Sequence, residues 1–311
     1  MSTSCDVRPV NRSMALSRLA QRMFNQPLAM SERYATMAMA SLRAKYGIEM
    51  LNSGDVSLDG PAMDALAASG RQAAVDSQRR RGQVFDEFDD VAIIPVQGLL
   101  VQAWGLDPWC GITGYDGIEA KVIAAAQDEN IRAIWMEYDS GGGDVSGLFD
   151  LCDLIWSVNA KNGGKPIFAM VNEAAYSAAY ALASCADKVF VPRYGGVGSV
   201  GVISMHTTFK RQNEALGIDV TVIRSGTQKA RANAVELLPE ETRAHFQRQC
   251  DIIRDGFVKL VARNMPPLTQ NLVRETEGLD YMGEDARAIG FVSDICSWHE
   301  AWGKLQRRIN R

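Results

Sequence analysis

Three segments of the sequence combine residue types that could support covalent catalysis. The first, residues 139–147, reads DSGGGDVSG and directly follows a strongly apolar stretch. Three consecutive glycines between a strand and a helix let the backbone approach a ligand with its N–H groups exposed. The segment contains neither the GxxxxGK[ST] pattern of a Walker loop nor the GxGxxG pattern of dinucleotide-binding proteins. It therefore indicates either an oxyanion hole or a tight turn between strand and helix.

The second segment, residues 172–187, reads NEAAYSAAYALASCAD and places Ser177 at another predicted strand-to-helix junction. A nucleophile needs such a place, exposed at the carboxyl end of a strand, among small side chains and beside a free backbone N–H group. The arrangement is loosely similar to a nucleophile elbow, although the G-x-S-x-G pattern is absent. An alanine-rich helix packed against a sheet explains the same composition. Ser177 is therefore either a nucleophile or a packing residue.

The third segment, residues 222–234, reads VIRSGTQKARANA and carries Lys229 just after a predicted strand. A lysine acts as a general base only when neutral, and a reference pKa near 10.4 leaves about one lysine in a thousand neutral at pH 7.4. Desolvation has to lower such a pKa by roughly 2 to 3 units. The nearest acidic residues along the chain are Asp219 and Glu236. Lys229 is thus a candidate base, although most loop lysines are simply solvated.

Alternating strand and helix patterns must position these three segments. From Val91 onward, apolar β-branched runs alternate with helical patterns, which is typical of βα units with parallel strands covered by helices. The predicted strands read VAIIPVQG, IRAIWMEYD, PIFAMVN, KVFVP, GVISM and DVTVIRS. The predicted helices cover residues 115–128, 145–158, 177–186 and 208–216, and a long helix begins at Pro239.

The sequence predicts four parts. Residues 1–48 form a helical N-terminal segment whose helix begins at Ser31 and ends at Gly47. Residues 49–88 lack sustained periodicity and are rich in small and polar residues, which predicts a flexible linker. Residues 89–297 form the α/β domain, and residues 298–311 form a basic helical tail.

Composition excludes several classes of protein. A formal net charge of −4 over 311 residues gives no electrostatic case for binding nucleic acid, which would need a basic face. The six cysteines form no CxxC pair, which predicts buried thiols in a reducing compartment and no metal site. The sequence lacks a signal peptide and any run of 18 apolar residues, so we expect a cytoplasmic protein without a membrane span.

Taken together and in this order, the three segments resemble the signal peptide peptidase A family of Ser–Lys proteases. Ser177 and Lys229 are 52 residues apart, and residues 225–229 read SGTQK, which matches the family's SGxxK context. The family's DSPGG turn reads DSGGG here, with Gly141 in place of proline, and its TGSIGV segment reads VGSVGV at residues 197–202. The resemblance implies an α/β fold of the Clp protease/crotonase type, a spiral of ββα units with a helical N-terminal extension.

Within that family the sequence is most similar to the head-maturation proteases of lambda-like phages. The similar segments include FNQPLAM at 24–30, GITGYDGIEAKV at 111–122 and LPEETR at 238–243. The resemblance implies a catalytic dyad without cofactor or metal. It assigns Ser177 as nucleophile, Lys229 as base, the N–H groups of Gly143 and Ala178 as the oxyanion hole, and Gly142 and Ser199 as supporting residues.

The resemblance also implies partners. The substrates would be phage scaffold and portal proteins and the chain itself, and the protease would be a homo-oligomer whose active site is completed by assembly. It would act in the cytoplasm of the bacterial host or inside the procapsid. In those phages a scaffolding region often follows the protease on the same polypeptide.

Other functions stay open at this point. A Clp-like Ser–His–Asp triad would use His206, which lies 29 residues after Ser177. A crotonase-type acyl-CoA enzyme uses a similar oxyanion turn but does not need the SGxxK segment. A cytoplasmic protease of the bacterial signal-peptide-peptidase type and a non-catalytic capsid-assembly protein on the same fold are the remaining alternatives.

Overall fold

The computed structural model describes residues 28–30, 84–108 and 111–310. In these residues the strands are β1 Leu28–Met30, β2 Asp86–Phe88, β3 Val91–Val101, β4 Ile112–Gly114, β5 Ala133–Asp144, β6 Ile167–Tyr176, β7 Lys188–Val191, β8 Gly196–Gly198, β9 Asp280–Met282 and β10 Asp294–Ile295. The helices are α1 Tyr115–Gln127, α2 Leu148–Val158, α3 Ala178–Ser184, α4 Lys210–Ala215, α5 Glu240–Asn264, α6 Gln270–Glu275, α7 Gly283–Ile289 and α8 Trp298–Ile309.

The strands form one sheet with the order β10-β7-β6-β5-β3-β2. Its central pairs, from β10 to β3, are parallel, and β2 pairs antiparallel with β3. Outside this path, β4 adds to β3, β1 to β5, and β8 pairs with both β6 and β9. The α/β class predicted from the alternation of strands and helices is confirmed.

Both faces of the sheet are covered, which explains why its central strands read as continuous apolar runs rather than alternating ones. On one face, α1, α2, α3 and the C-terminal half of α5 enclose the main core. On the other face, α8 packs against Trp135, Phe168 and Phe190 of β5, β6 and β7 through Ala301 and Leu305. Helix α8 is the predicted C-terminal helix, and it therefore forms part of the folded domain.

The chain divides into two compact units. The larger unit consists of residues 29–202 and 252–311 and contains the sheet and both cores. The smaller unit consists of residues 1–28 and 203–251, of which the structure describes 28 and 203–251. The described part of the smaller unit contains α4, a series of turns and the first half of α5.

Two predicted strands are wrong. Residues 201–205 (GVISM) form no strand beyond a single bridge at Ile203, whereas the preceding segment Gly196–Gly198 does form one and pairs with β6 and β9. Residues 219–225 (DVTVIRS) also form no strand, although the segment has high β-propensity. It lacks a partner within the described chain, and Ile223 is 94% exposed.

The predicted linker is shorter than expected at its C-terminal end. Strand Asp86–Phe88 pairs with β3, so the sheet begins within residues assigned to the linker. The rest of that linker up to residue 83 and the helix predicted from Ser31 lie outside the described residues.

The predicted burial is confirmed for the four cysteines that the structure describes, Cys152, Cys185, Cys250 and Cys296, which are buried free thiols. Cys5 and Cys110 lie outside the described residues. Among the described helices, none has the length and apolar character needed to cross a bilayer.

Candidate active site

Ser177 lies at the sharp turn between β6 and α3, with φ 52° and ψ −118°. A positive φ is rare for a residue with a β-carbon, and holding such a residue costs on the order of 1–3 kcal/mol. The turn is held because the Ser177 N–H donates to the Gly198 carbonyl at 2.8 Å and its carbonyl accepts from Ala181 N at 2.9 Å. A strained serine between a strand and a helix is the backbone geometry of a nucleophile elbow.

The Ser177 side chain is fully buried. Its hydroxyl donates to the Gly201 carbonyl at 3.4 Å, which is a long contact. Ala178, also buried, is the first residue of α3, and the first N–H groups of a helix lack partners within it. The N–H group of Ala178 therefore directly follows the serine, at the N-terminus of the helix.

The register of the sheet brings the glycine segment to the same level as this serine. Ser140 of β5 pairs with Ala175 of β6; Gly142 lies two residues after Ser140 in β5, and Ser177 directly follows Tyr176, the last residue of β6. Neighbouring strands are about 4.8 Å apart. The sheet thus places Gly142 and Gly143 at the level of Ser177.

Gly143 lies where a side chain cannot fit. A β-carbon at this position would lie 1.8 Å from the Leu100 carbonyl oxygen of β3. Gly142 has φ 101°, a conformation that favours glycine. Glycine is therefore required at position 143 by the close approach of β3 and favoured at position 142 by the backbone conformation.

Ser140 and Tyr115 hold this segment through hydrogen bonds, a role that was not predicted for either residue. The buried Ser140 hydroxyl donates to the Gly98 carbonyl at 2.6 Å and accepts from Gly142 N at 3.1 Å. The Tyr115 hydroxyl donates to the Asp144 carbonyl at 2.6 Å. Burial, followed by the Asp144 charge, raises the pKa of Tyr115 well above its ordinary value, so the phenol keeps the proton it donates. Their positions in the sequence could have indicated this role, since Ser140 lies in the segment DSGGG and Tyr115 in the segment GITGYDG.

Asp139 and Glu173 lie towards the carboxyl ends of β5 and β6. Burial raises the pKa of the Asp139 carboxyl, and the Glu173 charge raises it further. The charged form of the Asp139 carboxyl, which directly precedes the glycine segment, is thus less favourable than that of a solvated aspartate.

Ser199 follows Gly198, whose carbonyl accepts the hydrogen bond from Ser177 N. Like Ser177 it has a positive φ, 56°, and its N–H donates to the Leu279 carbonyl at 2.9 Å. Gly201 N donates to the Ser199 carbonyl at 2.9 Å. Because Gly198 and Gly201 both contact Ser177, the VGSVGV segment forms one wall of the serine site.

Lys229 belongs to the smaller unit and lies in an exposed turn, where its N–H donates to the Gly226 carbonyl at 3.0 Å. The residues on either side of it are tied to α5. Gln228 Nε2 and Arg231 Nη1 each donate to the Glu241 carboxylate at 3.0 Å. The structure thus places Ser177, Gly142, Gly143, Ala178 and Ser199 in the larger unit, and Lys229 in the smaller.

His206, the alternative base, has its own partner within the smaller unit. Its Nε2 donates to the Asn233 carbonyl at 3.0 Å. In a Ser–His pair this nitrogen has to accept the serine proton. The contact therefore indicates that His206 is a structural residue.

Known proteins resemble the chain over most of its length. Residues 159–310 match the family model of Peptidase family S49. The chain is 31% identical over 298 residues to the head-tail preconnector protein GP5 of Enterobacteria phage P21, which covers 95% of the chain and 58% of that protein. It is 32% identical over 290 residues to the capsid assembly protease C of Escherichia phage lambda, which covers 92% of the chain and 64% of that protein.

The chain thus spans about three-fifths of the length of these two relatives. A solved structure of the 1510-N membrane-bound stomatin-specific protease, a mutant in complex with a substrate peptide, aligns with a TM-score of 0.40 at 16% identity. That alignment covers 69% of this chain and 78% of the other. Residues 159–310 are thus similar to Peptidase family S49, and the two phage relatives are similar to the chain over more than nine-tenths of its length.

Proposed function

We propose that the chain is a serine endopeptidase that cleaves phage head proteins during procapsid maturation. The observation that carries the proposal is the strained turn that holds Ser177 between β6 and α3, at the carboxyl end of the strand that pairs with the glycine-bearing strand β5. The names of the two phage relatives, a capsid assembly protease and a head-tail preconnector protein, support the biological setting.

In the proposed mechanism Ser177 Oγ attacks the scissile carbonyl carbon, and neutral Lys229 removes the hydroxyl proton. The N–H groups of Gly143 and Ala178 stabilise the oxyanion, with about 3–4 kcal/mol per donor in the enzymes where this has been measured. Lys229 then passes the proton to the leaving amine, and water hydrolyses the acyl-enzyme by the reverse sequence. Ser199 orients the amine through its hydroxyl group.

The proposed substrates are scaffold and portal proteins and the chain itself, and the proposed location is the host cytoplasm or the interior of the procapsid. The substrate would lie extended against the glycine segment. No cofactor, metal, nucleic acid or membrane takes part in this proposal.

Oligomerisation belongs to the same proposal. The smaller unit exposes several large apolar side chains, which is typical of interaction surfaces. They are Leu216, Ile218, Val220, Ile223 and Leu237. A neighbouring subunit covering them would also remove Lys229 from water, and desolvation favours the neutral amine. Proteolysis would then wait for assembly.

Covalent labelling tests the proposal. A fluorophosphonate should modify the wild-type chain at Ser177, and mass spectrometry of the tryptic peptides identifies the modified residue. The matched control is Ser157→Ala, an exposed serine on α2, which should still be labelled, whereas Ser177→Ala should not. Labelling that persists in Ser177→Ala, or no processing of co-expressed head proteins by the wild type, would contradict the proposal.

A further inference from the structure

The larger unit carries a second concave site at the end of the sheet opposite the nucleophile. A cavity of about 360 Å³ lies there among residues of β6, β7, β10 and α8. Phe168 is the second residue of β6 and Lys188 the first of β7, whereas Ser177 follows the last residue of β6. About nine residues of strand separate Phe168 from Ser177, which corresponds to about 30 Å. The cavity is therefore distinct from the serine site.

The lining of this cavity is strongly basic. It combines four cationic side chains with a single carboxylate, that of Asp294, and the cations are Lys188, Lys304, Arg307 and Arg308. The whole chain has a net charge of −4. A local excess of positive charge in a negatively charged protein creates an attractive potential for an anion at this place.

Three of these cations have no ion-pair partner in the described part of the chain. The Asp294 carboxylate accepts a hydrogen bond from Lys304 and lies 4.0 Å from the Arg287 guanidinium, so it is already occupied. Within residues 28–30, 84–108 and 111–310, Lys188, Arg307 and Arg308 form no ion pair. Their charges remain available to a ligand.

The backbone holds the cations in a fixed pattern. Lys304, Arg307 and Arg308 are spaced i, i+3 and i+4 on α8, so they lie on one face of the helix. The buried residues Ala301 and Leu305 anchor the same helix to the sheet. Lys188 approaches from the start of β7, on a separate element. The four positive charges thus come from two separate elements, and a ligand with several negative charges would contact more of them than a single small anion.

The floor of the cavity is apolar but does not offer free aromatic faces. Phe168 and Phe190 lie 5.4 Å apart between ring centroids and are only 6% and 3% exposed. Lys304 Nζ lies 5.2 Å from the centroid of the Phe190 ring. Single-stranded nucleic acid binds by stacking its bases on exposed aromatic rings, which this floor does not provide.

We propose that this cavity binds a carboxylate-rich peptide segment of a partner protein. Arginine guanidinium groups match carboxylates in paired hydrogen bonds, and lysine supplies point charges to the same chain of acidic residues. The peptide backbone and aliphatic stems would lie against the apolar floor. The site would act as a docking surface separate from the peptide-bond chemistry at Ser177.

A direct binding experiment tests this, using the 311-residue Ser177→Ala chain so that no cleavage interferes. A fluorescein-labelled hexaglutamate peptide is titrated by anisotropy, with hexaglutamine as the neutral comparison. We expect saturable binding of hexaglutamate alone, weakened by added salt. Arg307→Gln/Arg308→Gln should weaken it by about tenfold, since two charge-assisted contacts are lost.

Single-lysine variants provide a matched control. Lys188→Gln should weaken hexaglutamate binding, whereas Lys259→Gln, an exposed lysine on α5, should not. Circular dichroism checks that each variant is folded. Unchanged binding in the double arginine variant, an equal loss in Lys259→Gln, or tighter binding of an oligothymidylate than of hexaglutamate would overturn the proposal.

Discussion

Arg231 and Glu241 form an ion pair of 3.0 Å that ties the turn carrying Lys229 to the first turn of α5. The same carboxylate accepts a hydrogen bond from Gln228, so it contacts residues on both sides of Lys229. One side chain thereby restrains the turn from two directions. The lysine itself remains free of this contact, which leaves its amine available for chemistry.

Glu241 should therefore act as a positioning residue. Glu241→Gln should lower kcat by about two- to fivefold, the effect of losing about 0.5–1 kcal/mol from a half-exposed ion pair. KM should change little, because the carboxylate is assigned no substrate contact. Steady-state cleavage of a reporter peptide measures both constants.

The matched control for that variant is the adjacent residue Glu240, which pairs with Arg243 along the helix. Glu240→Gln removes an ion pair from the same helical turn without contacting the lysine turn, so kcat should stay at the wild-type value. Equal losses in the two variants would show that Glu241 acts only through helix stability.

Ser177→Ala and Lys229→Ala should each abolish proteolysis while leaving fold and assembly intact, because each removes one partner of the proposed dyad. Activity of the wild type should rise between about pH 6 and 9, since only the neutral amine accepts the serine proton. Product analysis by mass spectrometry and gel filtration checks both statements. More than a few per cent residual activity in either variant, or a flat pH profile, would reject the dyad.

Mixing the two inactive variants should restore activity if the dyad forms between subunits. When Ser177→Ala and Lys229→Ala subunits are refolded together, some neighbouring subunits are of different kinds. At one interface between them, the Lys229→Ala subunit supplies Ser177 and the Ser177→Ala subunit supplies Lys229. The mixture is compared with each variant alone at the same total concentration. A mixture that stays inactive although its subunits exchange, or a fully active monomer at high dilution, would place the dyad within one chain.

Gly143→Ala should remove activity and destabilise the fold, because the added methyl group would lie 1.8 Å from the Leu100 carbonyl. Overpacking of this kind costs about 1–3 kcal/mol, and more when backbone must move. Chemical denaturation measures the loss. Gly256→Ala is the control, since the nearest atom to its β-carbon is 3.8 Å away and the site is helical. It should be neutral or stabilising, and equal costs in the two variants would contradict the steric argument.

Asp294 should make the fold sensitive to acid. Its hydrogen bond with Lys304 lowers the pKa of the Asp294 carboxyl below its ordinary value. The unfolded chain then binds this proton at a higher pH than the native chain, so stability is lost as pH falls through the native pKa. Between about pH 6 and pH 3 the wild type should lose more free energy of unfolding than Asp294→Asn, with a difference below about 1 kcal/mol because the pair is partly exposed. Glu129→Gln, an exposed loop variant, should retain the wild-type pH dependence.

Several elements could be predicted because local sequence determined them. The glycines of residues 139–147 and the small residues around Ser177 follow apolar runs that form strands, and each marks the end of one. Parallel strands end on the same edge of a sheet, so the placement of the glycine segment and Ser177 at the carboxyl ends of two neighbouring strands followed from the pattern of elements. Phe257 and Leu260 of α5, both buried, are three residues apart, which is the spacing of one helix face.

Tertiary structure alone decided the rest. Whether an apolar β-branched run becomes a strand depends on a partner for its backbone, and residues 219–225 lack one within the described chain. The positive φ of Ser177 depends on its hydrogen bond to Gly198, which is distant along the chain. The basic cavity depends on α8 lying against the starts of β6 and β7, which no local pattern encodes. Sequence periodicity reports which face of an element is buried, whereas long-range packing decides what that face meets.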